Sequence, residues 1–188
     1  MGGFALVLKL HLGCGREYKE GWINIDDNSD NNISKLDINM DLTLGLPYQD
    51  GTVDYIFHEH FFEHLTPQEG KILVIESMRV LKVGGVMRIA TPDLVEAVDK
   101  YLNMDIADDP VIKRYRLHHI KTRAERLNMA FSAWGHKWLY DWEELERRLR
   151  EAGCELIKQC QIRQSQHDVF KGVEVRDNSN LIAEVTKH

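Results

Sequence analysis

Two short stretches hold the side chains best suited to chemistry. The first is Gly13-Cys14-Gly15, followed by Asp26. A glycine pair at the end of a strand leaves backbone uncovered, so that a ligand can approach closely. A carboxylate at the end of the neighbouring strand can accept hydrogen bonds from both hydroxyls of a ribose. The second stretch is HEHFFEH, residues 58–64, with three histidines and two glutamates. Histidine titrates near neutral pH and suits removal of a proton from a hydroxyl or an amine. His60 to His64 also spells HxxEH, a pattern in which two histidines on one helix face bind zinc and the glutamate acts as base.

An α/β framework must position these residues. Residues 7–12 (VLKLHL) alternate apolar and polar side chains and predict a first strand. Ile23 and Ile25 predict a second, ending at Asp26. Leu36, Ile38 and Met40 share one face of a third that stops at Asp41. Val53 to Phe57 and Val86 to Ala90 are the fourth and fifth, and residues 26–32 (DDNSDNN) are loop by composition. TPQEGKILVIESMRVLKVGG predicts a helix, with Thr66 and Glu69 at capping-box spacing, Pro67 at its first position and Gly84 past its end. A second helix starts at Thr91-Pro92-Asp93, with Leu94, Val95, Val98, Tyr101 and Leu102 on its apolar face. Residues 104–140 form a helical insert or lid, interrupted at Trp134-Gly135. Asp141 and Glu144 open a helix that Gly153 closes. Residues 154–162 and 180–186 are the last two strands, joined by a connection too poor in helical pattern to be a crossover, so they pair antiparallel. The expected fold is a single α/β domain over residues 1–188. It is Rossmann-like, with a mixed seven-stranded sheet, an antiparallel last strand, and N-terminal crossover helices reduced or absent.

The glycine turn is unusual for such a fold. Only six residues, Arg16 to Gly21, separate Gly15 from Trp22. A link between parallel strands must climb back along a strand, and a helix advances only about 1.5 Å per residue, so this link is nearly extended. It lacks both the third glycine and the helix N-terminus that hold a pyrophosphate in dinucleotide folds. A nucleoside without phosphates loses little by this. S-adenosylmethionine, with its ribose, adenine and sulfonium, is such a ligand.

The sequence resembles the class I S-adenosylmethionine-dependent methyltransferases, in particular their small type 11 group, from about Lys9 to Asp93 and more weakly to the end. LHLGCG is similar to the first motif of that family and INIDD to its acidic second-strand end. MDLTLGLPYQDGTVDYI resembles the stretch with the adenine-contact acid, the LPF-like turn and the fourth strand. FFEHL is similar to the LEH that follows, and RVLKVGGVMRIATPD to the RVLKPGG block, with Val83 in place of the usual proline. The resemblance implies S-adenosylmethionine as cofactor, with Gly13, Cys14 and Gly15 along its methionine and ribose portion. It puts Asp26 on the ribose hydroxyls, Asp41 and the Leu42 backbone on the adenine amine, and the backbone near Phe57 and His58 beside the amino-acid tail. The site after the fourth strand faces the sulfonium. His58, Glu59 and His60 are the candidate catalytic residues there, with His136 and Tyr140 from the insert behind them, and no metal ligand is assigned.

Composition narrows the partners. The net charge of −6 does not suit a nucleic-acid coat, and no segment is apolar enough to span a membrane. The three cysteines lack CxxC spacing, and the start (MGGFALVLKL) lacks a signal-peptide pattern, which together predict a cytoplasmic protein. The expected acceptor is a small molecule or a sugar-containing metabolite. Residues 113–126 carry six Lys or Arg against one acid, expected as a solvated face rather than an anion site. Trp134, Trp138 and Trp142, at spacing four, predict a core stripe. Missing crossover helices leave part of the sheet uncovered, which a homodimer or a folded-back insert would cure. Two alternatives accompany this reading. One is a module that binds S-adenosylmethionine or its demethylated product without transfer. The other is a metal-dependent hydrolase using residues 60–64. The hydrolase needs a helix through the motif, whereas Thr66-Pro67 starts a separate helix and leaves His60 and His64 on a loop or one short turn. His64 then reads as a helix-end histidine bonded to backbone.

Overall fold

The computed structural model describes residues 7–29 and 31–188; residues 1–6 of the chain start and Asp30 of the 26–32 loop lie outside the described residues. The strands are β1 (Lys9–Leu12), β2 (Ile23–Asp26), β3 (Ile38–Asn39), β4 (Val53–Glu59), β5 (Leu81–Thr91), β6 (Leu156–Cys160) and β7 (Leu181–Thr186). They form one sheet in the order β3-β2-β1-β4-β5-β7-β6. The first five are parallel, and β7 runs antiparallel to both β5 and β6. This is the mixed sheet expected from the pattern. Two boundaries differ. The third strand shrinks to Ile38–Asn39. The fifth begins as soon as α1 (Pro67–Val80) ends, so Gly84 sits inside it at φ +79° and does not cap the helix.

One face of the sheet is covered conventionally. Thr66 caps α1 through the reciprocal bonds of a capping box with Glu69. Leu73, Val74 and Val80 of α1, with Leu145 and Leu149 of a later helix (Trp142–Glu151), pack onto Leu10, Leu12, Ile25, Ile56, Met87 and Ile89.

Among the described residues no helix covers the opposite face near β1. The link from β1 to β2 is helix-free, as its length requires. The buried amide of Asn24 closes it, accepting from the Lys19 N–H at 2.8 Å and donating to the Lys19 and Trp22 carbonyls at 3.0 Å. The cover comes from the connection between β6 and β7, where Phe170 and Val173 pack on Phe57, Val86, Ala90 and Ile182, with Trp22 and Tyr55 against the same cluster. Polar anchors hold this helix-poor segment down. Arg88, fully buried in β5, donates to the carboxylates of Glu174 and Glu184 and to the Gln161 carbonyl. The Glu59 carboxylate accepts from the Val175 and Arg176 amides at 3.1 and 2.9 Å and from the Ser179 hydroxyl at 2.6 Å. The Lys19 ammonium reaches the Val173 carbonyl at 2.7 Å. The cover folds back from the same chain, though from the last connection and not from the 104–140 insert.

α2 (Leu94–Asn103) precedes that insert, which carries α3 (Pro110–Tyr115) and α4 (Arg123–Ser132); α5 (Trp142–Glu151), the helix already placed on the first face, follows it. The tryptophan stripe is not core: Trp134 and Trp138 are 54% and 40% exposed. Trp134 has φ +58° and interrupts the helix, so spacing four no longer means one face; only Trp142, at the start of α5, packs against the core. Three of the six cations of the basic run are ion-paired, Lys113 with Asp108 and Arg114 with Asp177 at the exposed surface and Arg126 with the buried Asp109.

Replacing Arg88 by Met strands two buried carboxylates without their cation, which costs about 3–5 kcal/mol. The urea midpoint should fall accordingly, and adding Glu174→Gln and Glu184→Gln should recover most of the loss. An Arg88→Met midpoint equal to the parent's would show that the anchor contributes nothing.

Candidate active site

The carboxyl ends of β1, β2 and β4 lie at one rim of the sheet. Gly13 and Gly15 both have positive φ, +61° and +53°, but they serve different purposes. A Cβ on Gly13 would lie 2.2 Å from the ring of Phe61, so this glycine admits a protein side chain. Gly15 has nothing within 4 Å of such a Cβ and opens onto free space. The Cys14 side chain is buried, and burial, reinforced by Asp26, pushes its thiol up to about 12. What Cys14 can offer a ligand is backbone.

Asp26 is tied to the turn. Its Oδ2 accepts the Gly15 N–H at 2.6 Å, and its Oδ1 accepts the Asp27 N–H at 2.7 Å. Each oxygen keeps a second lone pair for a hydroxyl donor. Burial raises the carboxyl above its usual value against the pull of those amides. Asp41 is exposed and caps a short 3-10 turn, Leu42–Leu44. Its Oδ1 takes the hydroxyl and amide of Thr43 at 2.7 and 2.8 Å, bonds that hold its carboxyl below the usual range. An acid at the second strand, an open glycine turn and no helix N-terminus fit a nucleoside that carries no phosphate.

The HEHFFEH stretch divides differently from the sequence expectation. β4 ends at Glu59, the chain turns at His60 (φ +52°), and Phe62–His64 is a single 3-10 turn before α1. The helix face that a metallopeptidase needs is absent, so HxxEH is not a protease motif here. His58 is fully buried and stacked on Phe62, with ring centroids 5.6 Å apart and neither ring nitrogen bonded. Burial depresses its pKa to about 3. Glu59 has both carboxylate oxygens engaged by the 175–179 segment. These two residues are therefore corrected from acceptor-side groups to packing and anchoring groups. Phe57 is buried against His11 and Trp22, which leaves only backbone at this position for a ligand. Tyr140 is likewise enclosed, its ring 5.1 Å from that of Phe62.

His60 and His136 do come together. They line a cavity of about 410 Å³ between the ends of β4 and β5, the insert and the β6–β7 connection, with His64, Asp93, Trp134 and Arg176 among its other walls. Beside it lies Glu63, fully buried, which the sequence placed only in the hydrolase alternative. Its Oε2 accepts the Thr91 hydroxyl at 3.0 Å. Its Oε1 lies 3.2 Å from His60 Nδ1 and 4.0 Å from Nε2 of both His64 and His136. Burial works to raise the Glu63 carboxyl, but His60 and His64 outweigh it and hold the group below its usual value. The Glu63 carbonyl also accepts the Lys137 and Trp138 amides at 2.8 and 3.1 Å, so the insert hangs from this residue. The available signal was HxxEH itself, whose downstream partner is His136. His64 was read as a helix-end histidine, yet its side chain faces the cavity and is one-third exposed.

Residues 20–89 match the family model described as a methyltransferase domain. No curated protein sequence matches the chain. Among solved structures, an S-adenosylmethionine-dependent methyltransferase from Archaeoglobus fulgidus aligns over 97% of this chain and 86% of its own at 16% identity and a TM-score of 0.58. Another from Thermotoga maritima aligns over 96% and 82% at 14% identity, also with a TM-score of 0.58. A Haloferax volcanii complex between a methyltransferase activator and a candidate methyltransferase aligns over 97% and 84% at 16% identity, TM-score 0.56. At these identities the structures establish a shared fold. The matched segment is similar to a methyltransferase domain, and two of these structures of shared fold are of S-adenosylmethionine-dependent methyltransferases.

Two buried imidazoles make stability depend on acid. Folding lowers His58 from 6.5 to about 3 and His11 from 6.5 to about 4, mainly by burial. Both contributions are complete above pH 6.5 and are lost as pH falls toward the folded values, at about 1.4 kcal/mol per pH unit for each ring. His58→Phe should preserve the stack on Phe62 and remove one ring's share of that slope. Urea midpoints measured across this range check it; an unchanged slope would mean that His58 titrates normally in the fold.

Proposed function

We propose that this chain is a class I S-adenosylmethionine-dependent methyltransferase that methylates a small, hydroxyl- or amine-bearing acceptor, such as a sugar-containing metabolite, in the cavity beside His60 and His136. The observation that carries this reading is the position of the cavity. It opens at the carboxyl ends of β4 and β5, the sheet rim that also carries the glycine turn, and His64 in its wall lies close enough to couple electrostatically to Asp26.

The cofactor, when bound, supplies an electrophilic methyl group on a sulfonium. The chain's own residues do the rest. Asp26 accepts from the ribose hydroxyls and Asp41, with the Leu42 backbone, from the adenine amine. The open backbone at Gly15 and the backbone of Phe57 and His58 border the methionine portion. The insert and the 175–179 segment wall the cavity and hold the acceptor, and such positioning supplies most of the acceleration. His60 is the group suited to take the acceptor's proton. It lines the cavity, its Nδ1 faces Glu63, and its Nε2 is buried without a partner. Among the described residues no helix is long and apolar enough to cross a membrane.

Calorimetry with S-adenosylhomocysteine tests the cofactor half of this reading. Asp26→Ala should weaken binding by about 1–3 kcal/mol, or roughly 10–100-fold, as expected for charge-assisted bonds to a carboxylate. Unchanged affinity would put the ribose elsewhere. Incubation with labelled S-adenosylmethionine and a metabolite extract tests the other half: label should move to a small molecule and should be lost in His60→Ala. Binding without transfer would make the chain a cofactor-binding module.

A further inference from the structure

We propose that Glu63, His64 and His136 form a site for a first-row divalent cation of the zinc type in the wall of the acceptor cavity. Their ligand atoms all lie within 4.8 Å of one another, and Glu63 Oε1 stands 4.0 Å from Nε2 of each histidine. The two rings meet edge to face, 5.0 Å between centroids. Two imidazoles and a carboxylate are a donor set that such cations accept, with the remaining positions left to water or substrate. Metal–ligand bonds of about 2.0–2.2 Å place neighbouring donors roughly 3.4 Å apart in a tetrahedron. The Glu63–histidine separations exceed this by about 0.6 Å and the widest separation in the triad by up to about 1.4 Å, so the donors must draw together by that much. His64, one-third exposed, has the room to move.

A second observation points to a cation. Glu63 Oε1 is a fully buried carboxylate oxygen with no hydrogen bond, although His60 Nδ1 stands 3.2 Å away. His136 Nδ1 lies 2.7 Å from the Ala130 carbonyl, which can only accept, so that nitrogen is a donor and Nε2 is the ring atom left facing Glu63 Oε1. A buried carboxylate oxygen without a donor is costly, and a cation between it and the two imidazoles would satisfy it. The outer contacts are already those of a metal site, since the backbone orients His136 and the Thr91 hydroxyl fixes the other oxygen of Glu63.

His64 and His136 line the cavity and Glu63 lies at their back, so the open positions of the cation would face the acceptor. A hydroxyl or carboxylate oxygen of the acceptor is the chemistry such a position takes. In this arrangement Glu63 is a ligand and not a base, the reverse of the protease pattern that HxxEH spells. His60 stays outside the ligand set.

The test uses the whole chain, stripped with a chelator, reloaded with Zn²⁺ and dialysed, with metal measured by elemental analysis. About one zinc per chain should remain, and Co²⁺ in its place should show visible ligand-field bands. His64→Ala and His136→Ala should each weaken retention at least tenfold, whereas His118→Ala, on the exposed basic run, should not. Circular dichroism checks the fold, and should His136→Ala unfold, His64→Ala, at the one-third-exposed ring, still decides. Substoichiometric zinc in the parent chain, or full retention in the variants that fold, would overturn the proposal. No S-adenosyl compound is present, so the outcome is independent of whether the chain binds or transfers a methyl group.

Discussion

Arg88 is the interaction on which the rest of this structure depends. A parallel sheet needs cover on both faces, and the short link after β1 removes the helix that would cover one of them. The β6–β7 connection does the covering. It has too few apolar side chains to dock by burial alone, with Phe170 and Val173 its main contribution. A fully buried guanidinium holding Glu174 from the connection and Glu184 from β7 therefore fixes where the segment lies. An ion group of this kind adds little net stability over apolar packing, but its geometry is specific, and breaking it is costly. Specificity is what this segment requires, because it goes on to build one wall of the cavity with Arg176 and Asn178. The missing helix and the shape of the acceptor cavity have the same origin.

The same economy explains the cofactor rim. A crossover helix normally holds the glycine turn in place by packing. Here the Asn24 amide bonds the Lys19 and Trp22 backbone in the second half of the link, and the Asp26 carboxylate bonds Gly15 at its start. Asp26 thus shapes the turn and also faces the ligand. The turn offers amides and open space at Gly15 but no helix dipole, which suits a cationic nucleoside and would suit a pyrophosphate poorly.

What the sequence revealed was local. Strand period, the Thr66–Glu69 capping box and the glycine–acid pair are written within a few residues of where they act, and each is found in the fold. The helix-free link was legible for the same reason, since chain length alone forbids the helix. What escaped was non-local. Glu59 looked like a cavity acid, but its donors are 116 to 120 positions away. Lys19 and the Val173 carbonyl are separated by 154 positions. The tryptophan stripe failed because one left-handed residue, Trp134, ended the helical period on which the expectation stood.

The four histidines around the β4 turn show how far environment overrides residue type. His58 points into the core and is kept neutral by burial. Two positions on, the left-handed backbone at His60 swings the next ring toward Glu63. His64 closes the 3-10 turn and reaches the cavity, and His136 arrives from the insert with its tautomer set by Ala130. Glu63 unites the last three, and its backbone carbonyl also holds the insert in place. A displaced insert would therefore disturb the buried carboxylate and the cavity wall together. Cavity geometry and the contacts of its histidines with Glu63 are thus a single structural variable, set by how the insert hangs from one residue.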